Sequence, residues 1–295
     1  MRMEQFLSEL RKRSKEYFKS KSYTTGKYDY ILEKHDDWEK NIILPVVREY
    51  LKKTKQESAK KTRFSLHTSL HNGLSSQACL FNLIGPFVVA EKQYDVLKQI
   101  INLTTNIKIE GKIQEAKFEY TDPNTFQEHQ RQPTSIDLYI ATNKDRIFLE
   151  FKLKEAGFGT CSIYNQGNCD GMNPKPNLEL CYLHGRHRGY FELMEKYGLL
   201  KDTESCPFVE FYQAYRLLLF SLEHKGKFLF VYDERNPAFL CEIDGRKRGK
   251  FQRFYNLLPD DIKSNVGVLT IQQIEDYIEE QVKPEWIKEF RKRYG

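Results

Sequence analysis

The chain has 295 residues, 40% of them hydrophobic, and 47 Lys and Arg against 41 Asp and Glu for a net charge of +6. That suffices for one large core, or a core with helical additions. No apolar run reaches bilayer length, and Met1-Arg2-Met3-Glu4 lacks the apolar centre of a secretory signal, so a non-membrane, cytoplasmic protein is expected. There is no phosphate-binding glycine loop, no dinucleotide fingerprint and no two-His helical zinc motif, which removes support for ATP-driven, redox and zinc-hydrolase readings.

In chain order, residues 3–20 and 27–54 read as charged amphipathic helices. The second carries the stripe Ile31, Trp38, Ile42, Ile43, Val46, Val47 and Leu51. Residues 52–63 are polar and basic and read as a linker or exposed end. Asn72-Gly73 is a break, after which Ser75 or Ser76 can cap a helix over 77–87; interrupted at Gly85-Pro86, the helical run continues towards Leu103. Residues 112–120 read as a strand and 135–153 as a β-hairpin. A cysteine-bearing irregular segment follows, then a helix at 188–197. A strong helix over 207–223 is opened by Pro207 and striped by Val209, Tyr212, Ala214, Leu217, Leu218 and Phe220. Lys227 to Tyr232 is a short buried-type strand. The tail, 247–295, reads as helical, with Asp260-Asp261 capping one segment and Thr270 another.

The chemistry is concentrated in the hairpin. Ile136, Leu138 and Ile140 alternate along one strand; Ile147, Leu149, Phe151 and Leu153 alternate along the other, and Asn143-Lys144-Asp145 supplies the turn. Folding about Asn143-Lys144 brings Asp137 opposite Glu150. Because strand side chains alternate, Asp137, Glu150 and Lys152 then share the face away from the apolar stripe. Two carboxylates and a lysine on one polar face can hold a divalent metal and activate a water beside it. Pro133-Thr134-Ser135-Ile136-Asp137 followed by Glu150-Phe151-Lys152 resembles the motif of the PD-(D/E)XK nuclease superfamily, over about residues 70–235. Pro133 departs from the pattern in not adjoining Asp137. A solvated charge pair is the plain alternative for Glu150 and Lys152 taken alone.

The resemblance implies a restriction-endonuclease-like α/β fold, a mixed central sheet flanked by helices. Residues 63–235 would be its core, with a cysteine-containing insert at 154–206 and helical extensions at 1–62 and 236–295. It implies a metal-dependent endonuclease hydrolysing DNA, in restriction or defence, with Mg2+ or Mn2+ held by Asp137, Glu150 and the Phe151 carbonyl. Lys152 would be catalytic, and Gln213, on the helix 207–223 beside Arg216, would reach the metal site. The alternative is a catalytically inactive DNA-binding or interaction module that keeps the fold. DNA is the expected partner, and a homodimer stays open beside a monomer. Glu119 and Glu128 read as surface acids, although either could serve a second metal. Ser76 and Gln77 could approach the site from the first core helix, where relatives often carry an acid; Glu91, beyond Gly85-Pro86, is the nearest one here.

Two further sets stand out. The basic run Arg246, Lys247 and Arg248 suits a phosphate backbone, as do Arg11-Lys12-Arg13 and the stretch from His184 to Gly189. Cys161, Cys169, Cys181 and Cys206 fall in one segment rich in Gly, Asn and Pro and could bind Zn2+ or an iron–sulfur cluster; scattered free thiols are the alternative. Cys79, in an apolar helical run, reads as a buried small hydrophobe.

Overall fold

The computed structural model describes residues 1–61, 64, 66–104, 106–128, 133–175, 177–185, 188–200, 204–239, 242–243, 246–247 and 249–295. Helix α1 spans Met3–Ser20, and a 3-10 turn, His35–Asn41, precedes α2, Pro45–Lys61. The expected helix over 27–54 is therefore corrected. Pro45 lacks an N–H and suits a first helical turn, so the helix begins there; residues 52–61 of the expected linker are its second half, and 62 and 63 lie outside the described residues. Helices α3 (Ser76–Leu83), α4 (Gly85–Val89) and α5 (Tyr94–Ile101) follow, broken where the sequence places Gly85-Pro86. Ser75 caps α3 by accepting the Ala78 N–H at 3.2 Å.

Strands β1 (Ile113–Thr121), β2 (Ser135–Thr142) and β3 (Arg146–Lys152) form an antiparallel meander. Short helices α6 (Ser162–Asn165), α7 (Tyr182–Gly185) and α8 (Tyr190–Lys196) lie in the irregular segment before α9, Phe208–Glu223. Strand β4 (Lys227–Tyr232) returns parallel to β3. Gly226 leads into it, where a Cβ would lie 2.4 Å from the Phe148 ring and 2.9 Å from the Arg146 carbonyl. A short antiparallel pair, β5 (Glu242–Ile243) and β6 (Arg246–Lys247), precedes α10 (Lys250–Leu257) and α11 (Asp260–Lys263). Strand β7 (Val266–Thr270), helix α12 (Ile271–Tyr277), a π-helical turn and α13 (Trp286–Tyr294) complete the chain.

The main sheet has the order β1-β2-β3-β4-β7, antiparallel on one side of β3 and parallel on the other, and is flanked by helices. This is the expected mixed α/β architecture, with one addition: the tail contains β7. Its five residues are too short to set a period against the helical pattern around them, and pairing with β4 decides their conformation. Thr270 then ends the strand and caps α12 in a capping box with Gln273.

Both sheet faces are covered. Leu138, Ile140, Ile147, Leu149, Phe151, Leu229 and Val231 join a core built with the N-terminal helices, α12 and α13. Tyr139, Phe148, Phe228, Phe230 and Tyr232, on the alternate face, join a second core with α8, α9 and α10. The face expected to be polar is therefore polar only at its end, beyond this aromatic packing. The chain termini meet within the first core: the buried Arg293 lies against the rings of Tyr17 and Phe18 and donates to the Asn41 carbonyl at 2.8 Å.

Candidate active site

At one end of the sheet, β1, β2 and β3 each bring an acid to a single cleft of about 470 Å3. The pairs Phe118↔Leu138 and Tyr120↔Ile136 put Glu119 opposite Asp137. Continuing the Leu138↔Leu149 register puts Asp137 opposite Glu150, as the turn chemistry predicted. The backbone N–H of Phe151 donates to Asp137 Oδ2 at 2.8 Å and fixes that carboxylate across the strand pair. Glu119 holds a left-handed backbone, φ 51°, inside a strand, a conformation that costs energy for a non-glycine residue and turns its side chain into the cleft wall.

Glu150 is 1% exposed and Lys152 7% exposed. Glu150 Oε1 accepts Lys152 Nζ at 2.6 Å and Gln213 Nε2 at 2.6 Å. Lys152 Nζ also donates to Gln213 Oε1 at 2.8 Å, closing a triangle between β3 and α9. Gln213 reaches it because α9 is broken at Phe211 (φ −124°, ψ 33°), and the Gln213 N–H donates to the Phe158 carbonyl at 2.7 Å. The other oxygen, Glu150 Oε2, is buried with no hydrogen-bond partner. A buried anionic oxygen left so is costly unless a cation stands against it.

The electrostatics point the same way. The Asp137 pKa is raised well above its ordinary value, by desolvation first and then by the Glu150 and Glu119 charges, against the opposing pull of Lys152. Glu119 is raised to about 7 by burial and by Glu150, even though Gln77 (2.6 Å) and Ser135 (2.7 Å) donate to it. Burial would lower the Lys152 pKa, but Glu150, Glu155 and Asp137 outweigh it and raise it, so the amine stays charged. His67, on the cleft rim, is lowered by burial and by Lys152, with Glu150 opposing.

These groups can neutralise and orient a phosphate and a water. Asp137 and Glu150 can hold a hard divalent cation, since Mg2+ needs only one or two carboxylates beside waters and substrate oxygens. Among the described residues no three His, Cys, Asp or Glu side chains are gathered into a ready-made metal set.

The expected residues Asp137, Glu150, Phe151, Lys152 and Gln213 all line this one cleft. Ser76 lines it too, and Gln77 supports it through Glu119, while its Oε1 accepts the His67 N–H at 2.9 Å. Glu119 is corrected from surface acid to buried member of the acid row. The signal that could have found it is register, which needs the β1–β2 pairing. Glu128 is likewise buried, but it is occupied: it accepts from the Thr134 N–H (2.5 Å), Arg188 (3.0 Å) and Tyr190 (3.0 Å). Arg188 thus turns inward instead of towards a phosphate, and His187 lies outside the described residues. Arg216, from α9, lies over the Tyr212 ring and donates to Thr134 Oγ1 at 2.6 Å on the cleft wall. The sequence reading also missed His67, Lys154 and Glu155 on the rim.

Elsewhere, Arg11 and Arg13 are taken up by Glu4 and Glu9. Arg246 and Lys247 form β6, and Arg248 lies outside the described residues. Cys161, Cys169, Cys181 and Cys206 line a second cavity of about 330 Å3, and Cys79 is in the core.

A mixed five-stranded sheet flanked by helices, with acids and a lysine converging at one end, defines an α/β nuclease-like protein. A family model described as Restriction Endonuclease associating with ARP matches residues 6–295, and the chain belongs to that family. Neither the curated proteins nor the solved structures contain a significant match. No helix among the described residues is long and apolar enough to cross a membrane.

Proposed function

We propose that the chain is a metal-dependent endonuclease of the PD-(D/E)XK type that hydrolyses DNA phosphodiester bonds. The observation that carries this reading is Glu150 Oε2, a buried and unpartnered carboxylate oxygen, with Asp137 and Glu119 crowded beside it. Three acids around one cleft are held there against mutual repulsion, which a bound cation would relieve.

Asp137, Glu150 and the Phe151 carbonyl would hold Mg2+ or Mn2+, and Glu119 adds a third carboxylate to the same cleft. The ion would supply charge neutralisation at the phosphate and an acidified water. Lys152, kept cationic by its acid neighbours, would stabilise the charge that gathers on phosphorus oxygens. Gln213 bridges Glu150 and Lys152 and keeps both side chains at fixed separation. Association with ARP, named in the family description, is the partner-level part of the proposal.

Incubation of supercoiled plasmid with the wild-type protein should give nicked or linear DNA with Mg2+ or Mn2+ and none with EDTA. Asp137→Ala and Glu150→Ala should each lose at least about 100-fold in rate while keeping wild-type circular dichroism, the scale on which removing a key electrostatic group acts. Equal cleavage by Asp137→Ala and wild type would end this assignment. DNA binding without cleavage by the wild type, in either metal, would favour the inactive-module alternative.

A further inference from the structure

The described part of 159–182, within the segment between β3 and α9, has little to hold it in place. Its described helices are short, and whereas Tyr190, Phe191 and Met194 further on are buried in the second core, Met172 is 57% exposed and Leu180 83% exposed. Glycines with left-handed backbones, Gly159, Gly167 and Gly171, interrupt it. Yet it returns on itself in a defined way. Met172 bridges Ser205, the Asn173 N–H donates to the Glu204 carbonyl at 2.9 Å, and the Cys206 N–H donates to the Gly171 carbonyl at 2.8 Å. The Cys161 N–H donates to the Phe208 carbonyl at 3.0 Å.

This folding brings four cysteines from separate stretches of sequence to one cavity, with none of them in a disulfide. Three of the four sulfurs have a backbone N–H beside them. Cys169 Sγ accepts the Gly171 N–H at 3.4 Å, two residues on. The N–H groups of Leu183 and His184 favour the Cys181 thiolate and that of Phe208 favours the Cys206 thiolate, against the larger opposing effect of burial. Such N–H groups stabilise a thiolate and fix its direction, the role that outer partners play for metal ligands.

We propose that Cys161, Cys169, Cys181 and Cys206 bind one zinc ion as a tetrathiolate structural centre that pins the segment 161–206. Four soft thiolates and no open position for a reactant are the donor set of a structural zinc site. The four cysteines line one cavity, but among the described residues no three His, Cys, Asp or Glu side chains stand close enough to hold a metal ion, so binding requires the sulfurs to close onto it. Thiolate coordination releases the thiol protons to solvent, so binding is weakened by acid. The centre is tied to the cleft mechanically. Cys206 directly precedes Pro207 and α9, and the Phe158 carbonyl, near Cys161, holds the Gln213 N–H.

The proposal stands apart from the nuclease reading, and its test uses metal and thiol readouts alone. The full chain, untagged and purified without chelator, should contain about one zinc per molecule. After exchange, Co2+ should give thiolate-to-cobalt charge-transfer absorption in the near ultraviolet and the visible bands of a tetrahedral ion. Cys181→Ser and Cys206→Ser should each lower zinc content and abolish those bands, whereas Cys79→Ser should keep both. In the native protein a thiol reagent should react with these four cysteines only after zinc is removed. If the serine variants do not fold, the wild-type cobalt spectrum and thiol protection decide alone. Co2+ bound without charge transfer, free reaction of all four thiols, or a disulfide among them would overturn the proposal. Iron with acid-labile sulfide in place of zinc would overturn the zinc assignment.

Discussion

Replacing Glu119 by Gln removes one charge from the acid row while keeping its hydrogen bonds: the Gln amide can accept from Gln77 and donate to the Ser135 hydroxyl. In the native protein the Glu119 carboxyl is raised from 4.5 to about 7 by burial and by Glu150. The sign follows from linkage. An acid whose folded pKa lies above its unfolded value contributes stability at low pH, and that contribution is lost as pH rises through the folded pKa. A rise from 4.5 to about 7 corresponds to about 3 kcal/mol between the two limits. For a chain of this size that is about 6 °C in Tm. Wild-type protein in EDTA should therefore lose about that much Tm between pH 4 and pH 8, on top of other titrations. Glu275, also raised to about 7 by its burial, contributes a similar loss elsewhere in the molecule, and Glu275→Gln is the control that subtracts it. Glu119→Gln should flatten its share of the slope and be the more stable protein at pH 8. Mg2+ at pH 8 should raise the wild-type Tm and raise that of Glu119→Gln less, since fewer crowded charges remain to be neutralised. Thermal unfolding followed by circular dichroism at four pH values, with and without Mg2+, measures all of this. Parallel slopes for wild type and Glu119→Gln in EDTA would refute the reasoning.

Other outcomes follow from the same geometry. Lys152→Ala should lower single-turnover cleavage by about 100-fold with little change in DNA affinity, because its proposed role lies at the transition state; a large loss of affinity with unchanged turnover would make it a simple phosphate ligand. Replacing Arg246, Lys247 and Arg248 by Ala should weaken DNA binding alike on all sequences and flatten the log–log salt dependence by about one unit for each phosphate that the cluster neutralises; fluorescence anisotropy across salt concentrations reads this, and an unchanged slope would mark the cluster as solvated surface.

The sequence by itself determined what short-range chemistry controls. Alternation on either side of Asn143-Lys144 fixed β2, β3 and their turn, and so brought Asp137 against Glu150 before any tertiary contact was known. Local hydrogen bonding did the same for the Thr270 cap and narrowed the α3 cap to Ser75 or Ser76, and the broad apolar stripe did so for α9. Tertiary structure decided what depends on distant partners. β7 is a strand because β4 offers it an edge, not because five residues declare a period. The polar sheet face is largely buried because α9 and its aromatic neighbours close over it, which no spacing within the hairpin encodes. Glu119 and Glu128 are both acids near the hairpin, and only their surroundings separate them. One lies in register with Asp137, buried and beside the Glu150 charge, and the other meets Arg188, Tyr190 and the Thr134 N–H. The identity of a side chain is local; its solvation, its charge neighbours and therefore its chemistry are set by residues far away in the chain.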